Sequence, residues 1–222
     1  MSTKNREIKD LLYEQVARIG KAVSSPKRLE LLELLAQGEK TVEVLAQELS
    51  IDVKLTSAHL KALKTARLVE HRREGKYMVY RLSGEDVAQL WVTLRLVAEE
   101  HLVELQLALQ RLVADPDKLA QMGRAELLAQ ARRGEVIVID VRPEEEYAVA
   151  HLPHARSMPM AEIEKRLAEL PRSREIVAYC RGPFCLLSDE AQKLLARKGY
   201  RVRKLLDGVA EWSAAGLPLE RG

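Results

Sequence analysis

The segment EIVAYCRGPFCLLSDEAQKLLARKGY, residues 175–200, contains both cysteines of the 222-residue chain, Cys180 and Cys185. The residues before Cys180 form a short apolar run typical of a buried strand, and those after Cys185 have the apolar spacing of a helix. CRGPFC is therefore predicted to be the turn between the carboxyl end of a strand and the start of a helix. In parallel α/β sheets, ligands and nucleophiles lie at this edge.

The same alternation of strands and helices extends over residues 124–222. Apolar runs at 135–140, 174–180 and 201–206 are each followed by a segment with helical spacing. This alternation predicts an α/β domain with a parallel sheet that helices cover on both faces.

This half of the chain resembles the rhodanese domain, a sulfurtransferase fold. The resemblance rests on VIVIDVRPEEEYAVAHLPHARSMPM (136–160), on the cysteine loop, and on LLDGVAEWSAAGLPLE (205–220). It implies that Cys180 is the catalytic cysteine, that Asp140 and Arg142 support the loop, and that the partner is a small sulfur donor or acceptor. The loop continues from Cys180 with Arg181, Gly182, Pro183, Phe184 and Cys185.

The position of Cys180 predicts a reactive thiol. Loop amides and the start of the following helix stabilise negative charge on the sulfur, and Arg181 adds a positive charge beside it. A thiolate is a nucleophile, and a persulfide formed on it is an anion that the same amides hold.

Two features depart from related families. Single-domain rhodaneses often end the loop with an arginine where this chain has Cys185, so the loop offers less charge to an anionic donor such as thiosulfate. A related phosphatase class needs an arginine where this chain has Leu186, which argues against phosphatase chemistry.

Cys185 has three interpretations. It packs under the loop as a small apolar residue, or it resolves an oxidised or persulfidated Cys180 by forming a disulfide. The third interpretation is a soft-metal site with Cys180, but two thiols alone make a poor zinc site. No metal and no cofactor are therefore predicted.

The first half of the chain reads as helices followed by a β-hairpin. TVEVLAQELSI (41–51) and LTSAHLKALKTARL (55–68) are predicted helices, and LVEHRREGKYMVYRL (68–82) is a predicted hairpin. Residues 51–81 carry eight basic and three acidic side chains, a net charge of +5. The pattern predicts a mainly α winged helix-turn-helix that binds double-stranded operator DNA, with a solvated basic face as the plainer alternative.

The second predicted helix is the recognition helix. Its solvent side is expected to carry Thr56, Ser57, His59 and Lys61, and its other side Leu55, Leu60 and Leu63. His59 alternatively serves as a capping or packing residue. The candidate DNA contacts are Lys54, Thr56, Ser57, His59, Lys61 and Lys64 of this region and Arg72, Arg73 and Lys76 of the wing.

Residues 24–83 resemble the ArsR/SmtB-type repressors. The matching pieces are Pro26-x-Arg28, Ser57-x-His59-Leu60 and the wing REGKYMVYRL (73–82). The family consists of homodimers that release operator DNA on metal binding or thiol modification. The resemblance implies a dimer interface formed by the first helix and a long helix predicted over residues 84–113.

The metal sites of that family are incomplete in this chain. The helix before the recognition helix has no cysteine, and of the pattern on the last helix only His101 and Glu104 are present. Asp115-Pro116 ends the long apolar stripe. The predicted organisation is a winged helix-turn-helix domain (1–113), a linker (114–123) and a rhodanese-like domain (124–222).

Three functions follow from this fusion. In the first, sulfur chemistry at Cys180 is the input and operator release the output. In the second, the chain is a working sulfurtransferase whose winged domain controls its own operon. In the third, the rhodanese-like domain binds a partner without chemistry. The absence of a membrane-length apolar run and of a signal-peptide pattern predicts a cytoplasmic protein.

Overall fold

The computed structural model describes residues 3–112 and 123–222 and divides into two compact units, Met1–Trp91 and Val92–Gly222. The predicted fold class is confirmed: the first unit is a winged helix-turn-helix, and the second contains a four-stranded parallel sheet. The predicted domain boundaries stay predictions, because residues 113–122, which include all but the last residue of the predicted linker, lie outside the described residues.

The first unit consists of helices and a small antiparallel sheet of strand order β1-β3-β2. Its elements are α1 (Thr3–Val23), α2 (Pro26–Leu35), β1 (Lys40–Thr41), α3 (Val42–Glu48), α4 (Val53–Thr65), β2 (Val69–Glu74), β3 (Tyr77–Leu82) and the start of α5 (Glu85–His101).

Side-chain caps fix the starts of the two helices of the helix-turn-helix. The hydroxyl of Thr41 accepts a hydrogen bond from the Val44 amide at the start of α3, and the Asp52 carboxylate accepts one from the Leu55 amide at 2.8 Å. Such caps satisfy amides that a helix start leaves unpaired. The Asp52 cap begins α4 at Val53, two residues before the predicted start of the recognition helix.

The long helix predicted over residues 84–113 is interrupted. The structure has α5 (Glu85–His101) and α6 (Val103–Leu112), separated by Leu102. The side-chain amide of Gln106 donates to the carbonyls of Glu99 (2.7 Å) and Glu100 (3.2 Å) beside this break. A side chain that hydrogen-bonds to backbone carbonyls in this way competes with the helical ladder.

The second unit contains the parallel sheet of strand order β5-β4-β6-β7. Its further elements are α7 (Arg124–Arg133), β4 (Val136–Asp140), α8 (Glu144–Val149), β5 (Arg156–Ser157), α9 (Ile163–Arg166), β6 (Glu175–Tyr179), α10 (Leu187–Arg197), β7 (Val202–Lys204) and α11 (Val209–Ala214), with single 3-10 turns before and after α9.

Both faces of this sheet are buried, as the apolar strands predicted. Ile137, Ile139 and Ile176 belong to the core on one face, and Val138 and Val177 to the core on the other. In the register of the sheet, Asp140 of β4 pairs with Tyr179 of β6. The carboxyl ends of the two central strands therefore lie side by side, and Cys180 follows directly.

Within residues 3–112 and 123–222, no helix combines the length and the apolar character needed to cross a bilayer.

Candidate functional site

Cys180 and Cys185 are joined in a disulfide that closes the predicted loop, with their Cα atoms 6.2 Å apart. Cys180 is 1% exposed at the end of β6, whereas Cys185 is half-buried. The Cys185 amide donates to the Gly182 carbonyl at 3.2 Å and tightens the turn. The two sulfurs are thus placed to react with each other, which is what a resolving thiol requires.

Asp140 and Arg142 form a buried network behind the loop. The guanidinium of Arg142 donates from Nε to Asp140 Oδ1 at 2.9 Å and from Nη2 to the Ala150 carbonyl at 2.8 Å. The Tyr179 hydroxyl donates to Asp140 Oδ2 at 2.6 Å. Because Tyr179 precedes Cys180, this network contacts the strand end that carries the cysteine, and the role of Asp140 and Arg142 as supports of the loop stays a prediction.

The side chain of Arg181 is bound to Glu146, a residue of the segment 136–160 to which the sequence pattern assigns no role in the loop. Its Nε donates to Glu146 Oε2 at 3.0 Å and its Nη2 to Glu146 Oε1 at 2.6 Å. Both side chains are buried. A bidentate pair of this kind has fixed geometry, so the charge that Arg181 was expected to add beside Cys180 is matched by an opposite one.

Lys204, a second cation near the cysteine loop, is also paired with a carboxylate. Lys204 of β7 is 1% exposed, and its Nζ lies 2.8 Å from Asp189 Oδ2 and 3.4 Å from the Cys185 carbonyl. Lys204 therefore fixes the second cysteine of the loop through its backbone. Asp189 lies within the segment 175–200 that predicts the loop, but the sequence pattern assigns no role to Asp189 or to Lys204.

Gly208 lies against the backbone of the cysteine loop. A Cβ at this position would lie 2.6 Å from the carbonyl carbon and oxygen of Arg181 and 2.7 Å from the carbonyl oxygen of Cys180. The Gly208 amide donates to Glu211 Oε2 at 2.8 Å. Glycine at this position is thus required by close approach, and Glu211 holds it there.

Glu211 in turn binds Arg95, a residue of α5 within the second unit. Arg95 Nη2 lies 3.0 Å from Glu211 Oε1, and Nη1 pairs with Glu99. The guanidinium also lies 5.9 Å from the centre of the Phe184 ring in the loop. Burial raises the pKa of Glu211, and the charge of Arg95 lowers it.

The recognition helix exposes most of the predicted DNA contacts but not all. Lys54, Ser57, Lys61 and Lys64 are exposed, and His59 is half-buried. The prediction that Thr56 lies on the solvent side is wrong: it is 0% exposed, and its hydroxyl donates to the Asp52 carbonyl at 3.0 Å.

The apolar side of the same helix also differs from the prediction at one position. Leu60 and Leu63 are buried, as expected, but Leu55 is 43% exposed in the first turn.

In the wing, the three predicted cations differ in their partners. Arg72 is bound to the carboxylates of Glu39 and Glu74, which raise its pKa above the ordinary value. Arg73 donates to the Gly75 carbonyl at 3.0 Å, and the Lys76 ammonium lies 5.1 Å from the centre of the Tyr77 ring. All three side chains are exposed. The positive charge of Arg72 is balanced by the carboxylates of Glu39 and Glu74.

His101 and Glu104 are both exposed near the interruption between α5 and α6. Among the described residues, no three His, Cys, Asp or Glu side chains are grouped closely enough to hold a metal ion.

Each half of the chain matches a known protein family, and one known protein is similar to almost the whole chain. Residues 25–71 match the family "Bacterial regulatory protein, arsR family", and residues 124–215 match the "Rhodanese-like domain". The chain is 45% identical over 214 residues to the HTH-type transcriptional regulator Rv0324 of Mycobacterium tuberculosis, covering 96% of this chain and 94% of that protein.

Two shorter matches each cover one part of the chain. A sulfurtransferase of Allochromatium vinosum is 36% identical over 86 residues, 38% of this chain and 78% of that protein. The solved structure of a homodimeric winged helix-turn-helix DNA-binding domain from Mycobacterium bovis is 46% identical, covers 47% of this chain and 93% of that chain, and has a TM-score of 0.42.

Proposed function

This chain belongs to the ArsR family of helix-turn-helix transcriptional regulators and carries a C-terminal rhodanese-like domain, and on that premise we propose that sulfur chemistry at Cys180 controls its release from operator DNA. The observation that carries the proposal is the disulfide between Cys180 and Cys185. It provides two chemical states of one loop, reduced and oxidised, in a chain that binds DNA.

The sulfur chemistry proceeds in two balanced steps. The Cys180 thiolate attacks the terminal sulfur of a hydropersulfide R–S–SH, forming a Cys180 persulfide and releasing the thiolate RS⁻. The Cys185 thiolate then attacks the Sγ of Cys180 and expels hydrosulfide, leaving the disulfide. Two electrons pass from the two thiols to the sulfane sulfur, which departs as sulfide. Reduction of the disulfide by a thiol restores the starting state.

Operator binding is assigned to the recognition helix and the wing. Exposed Lys54, Lys61 and Lys64 are suited to phosphates, and Ser57 and half-buried His59 to base edges or the backbone. The exposed Arg73 and Lys76 supply contacts from the wing. Thr56 is not included, because its hydroxyl is buried and already bonded.

The functional form is proposed to be a cytoplasmic homodimer. Helix α1 exposes an apolar stripe that includes Leu12 (62%), Tyr13 (67%) and Val16 (71%). None of the residues of α6, all of which are described, is buried, although Val103 and Leu107 are apolar. Exposed apolar stripes on single helices are typical of protein–protein interfaces. In the proposed homodimer, a second copy of the chain supplies the complementary surface.

The contact between the loop and α5 offers a route for the signal. Oxidation of the cysteine loop changes DNA affinity only if the reduced and oxidised loops interact differently with the DNA-bound and DNA-free forms of the winged helix-turn-helix. Glu211 bonds to Gly208 beside Cys180 and also to Arg95. Helix α5, which carries Arg95, begins at Glu85 in the first unit.

The proposal is tested by operator binding of the full chain with and without a sulfane-sulfur donor. DNA from the region upstream of its own gene serves as the probe, and the thiol state is read by mass spectrometry on the same samples. Wild type is expected to lose affinity as the disulfide forms. Cys180→Ser is expected to bind equally with and without donor.

A second candidate function is a working sulfurtransferase whose DNA-binding half regulates its own gene. The observation in its favour is the similarity to the Allochromatium vinosum sulfurtransferase. The sulfurtransferase function predicts repeated transfer of sulfur to an acceptor thiol, at the same rate with operator DNA bound and unbound. The sulfur-controlled regulator does not predict this. If instead the domain binds a partner without chemistry, Cys180→Ser leaves regulation intact.

A further inference from the structure

The charges around the cysteine loop are matched pair by pair. In the described part of the second unit, four arginine or lysine side chains are buried, and each lies within 3.0 Å of a carboxylate. The pairs are Arg142 with Asp140, Arg181 with Glu146, Lys204 with Asp189, and Arg95 with Glu211.

The pair nearest to the reacting sulfur is the most informative. Arg181 follows Cys180 in the chain, and Glu146 of α8 holds its guanidinium through two hydrogen bonds of 3.0 and 2.6 Å. Glu146 is 2% exposed, so water does not screen this interaction well. An incoming anion would have to compete with a fixed carboxylate for the same donors, which weakens its attraction to the loop.

The surface beside the loop is acidic as well. A pocket of about 360 Å³ is lined by apolar Val141, Met160 and Leu187 and by Glu144 and Glu145. Leu187 is the first residue of α10, two positions after Cys185. Both glutamates are exposed. A donor that approaches from this side meets apolar surface and negative charge.

We propose that the site takes sulfane sulfur from hydropersulfides, whose terminal sulfur is protonated and carries no negative charge when Cys180 attacks it, and discriminates against dianionic donors such as thiosulfate. Glu146 sets this preference by neutralising Arg181. The inference rests on the proposed function, since it names the donor for the same Cys180. With thiosulfate the corresponding step would form a Cys180 persulfide anion and release sulfite, so both donors can be compared by the same product.

The test measures the rate of persulfide and disulfide formation in the reduced full chain, without DNA, by quenching and mass spectrometry. Cysteine hydropersulfide and thiosulfate are the two donors, and the ratio of their rates is the readout. Glu146→Gln removes the charge and keeps the shape of the side chain. Glu135→Gln is the matched control, because Glu135 binds Arg133 through the same two-bond geometry on the surface.

Wild type is expected to react faster with cysteine hydropersulfide than with thiosulfate, because Glu146 already neutralises Arg181. In Glu146→Gln the unmatched Arg181 is expected to raise the thiosulfate rate relative to the hydropersulfide rate about tenfold, in line with one charge in a poorly screened site. Glu135→Gln is expected to keep the wild-type ratio.

Salt provides a second measurement that needs no variant. A free cation that attracts the dianion would make the thiosulfate rate of wild type fall as ionic strength rises; matched charges predict a flat or rising rate. Equal rates for the two donors, a ratio unchanged in Glu146→Gln, or a falling salt dependence would overturn the inference. Failure of both donors to modify Cys180 would instead contradict the proposed function.

Discussion

Arg95 Nη2 lies 3.0 Å from Glu211 Oε1, and both side chains are buried. Glu211 also accepts the hydrogen bond of the Gly208 amide, and Gly208 packs against the backbone carbonyls of Cys180 and Arg181. The cysteine loop is thereby connected to α5 by contacts between a few fixed side chains. If redox change in the loop alters DNA binding, this connection is the first to examine.

Arg95→Met is expected to separate sulfur chemistry from DNA release. The variant keeps the apolar stem but loses the bond to Glu211, so disulfide formation should proceed while the donor changes operator affinity by less than about twofold. Thiol mass spectrometry and DNA-binding titrations on the same samples check both parts.

Arg124→Met is the control, since Arg124 and Arg95 line one pocket of about 290 Å³ but Arg124 binds Asp207 and not Glu211. It should retain the wild-type response. A full response in Arg95→Met would exclude this route.

The pH dependence of stability should also change in Arg95→Met. Burial raises the pKa of Glu211 and Arg95 lowers it, so removal of Arg95 raises the pKa further. A carboxyl whose pKa is higher in the folded state stabilises the fold most below its unfolded pKa, and this stability is lost as pH rises through the folded pKa.

The unfolding free energy of Arg95→Met should therefore fall relative to wild type as pH rises from the folded pKa of Glu211 in wild type to its higher folded pKa in the variant, by about 1.4 kcal/mol for each unit of added shift. Denaturant titrations over this range check it. Addition of Glu211→Gln to Arg95→Met should abolish this extra dependence of the unfolding free energy on pH. If the unfolding free energies of wild type and Arg95→Met change in parallel with pH, Arg95 does not control the pKa of Glu211.

Cys185→Ser is expected to arrest the reaction at the persulfide. With no second thiol, the Cys180 persulfide cannot be converted to the disulfide, so treatment with cysteine hydropersulfide should add about 32 Da, one sulfur atom, at Cys180. Wild type should instead lose two hydrogen atoms on forming the disulfide, with release of the sulfane sulfur as sulfide. Persulfide that accumulates equally in both proteins would show that Cys185 does not resolve it.

The half-buried Cys185 should be the sulfur that a reducing thiol attacks. Cys180 is 1% exposed, so the thiol that opens the disulfide reaches Cys185 first and releases Cys180 as the thiolate. Trapping with iodoacetamide during slow reduction should find the mixed disulfide on Cys185. A mixed disulfide found mainly on Cys180 would contradict the accessibility difference.

Gly208→Ala should displace the cysteine loop. The added Cβ would meet backbone atoms of Arg181 and Cys180 at 2.6–2.7 Å, and backbone moves less readily than a flexible side chain. A loss of about 1–3 kcal/mol in unfolding free energy and slower reaction of Cys180 are expected. Gly123→Ala has no heavy atom within 4 Å of the added Cβ and serves as the control.

The DNA-binding surface can be tested by comparing arginines of the wing. Arg73→Ala should weaken operator binding and reduce the salt slope of log K by about one. Arg72→Ala should have the smaller effect, because Glu39 and Glu74 already bind that guanidinium. Equal losses in the two variants would show that Arg72 leaves its partners when DNA binds.

The sequence was sufficient to predict features that depend on local pattern. The strand, turn and helix of residues 175–200 follow from apolar spacing, and the parallel sheet follows from its repetition. The burial of Thr56 also follows from local pattern, because Thr56 precedes Leu60 by four residues and Leu63 by seven and so lies on the buried stripe of the helix.

The partners of the loop could not be predicted from pattern. Glu146 precedes Arg181 by 35 positions, and Arg95 precedes Glu211 by 116. Their pairing depends on how the helices pack on the sheet, and a surface glutamate and a buried one look alike in the sequence. The interruption at Leu102 is likewise accompanied by side-chain hydrogen bonds of Gln106 to the carbonyls of Glu99 and Glu100, which apolar spacing does not predict.

The most direct test of sulfur-controlled DNA binding is a titration of operator DNA with reduced wild type and Cys180→Ser, each before and after cysteine hydropersulfide, with thiol masses recorded throughout. Sulfur control predicts that wild type forms the Cys180–Cys185 disulfide and loses affinity by at least about tenfold, while Cys180→Ser keeps its affinity. Disulfide formation in wild type with unchanged affinity would contradict it.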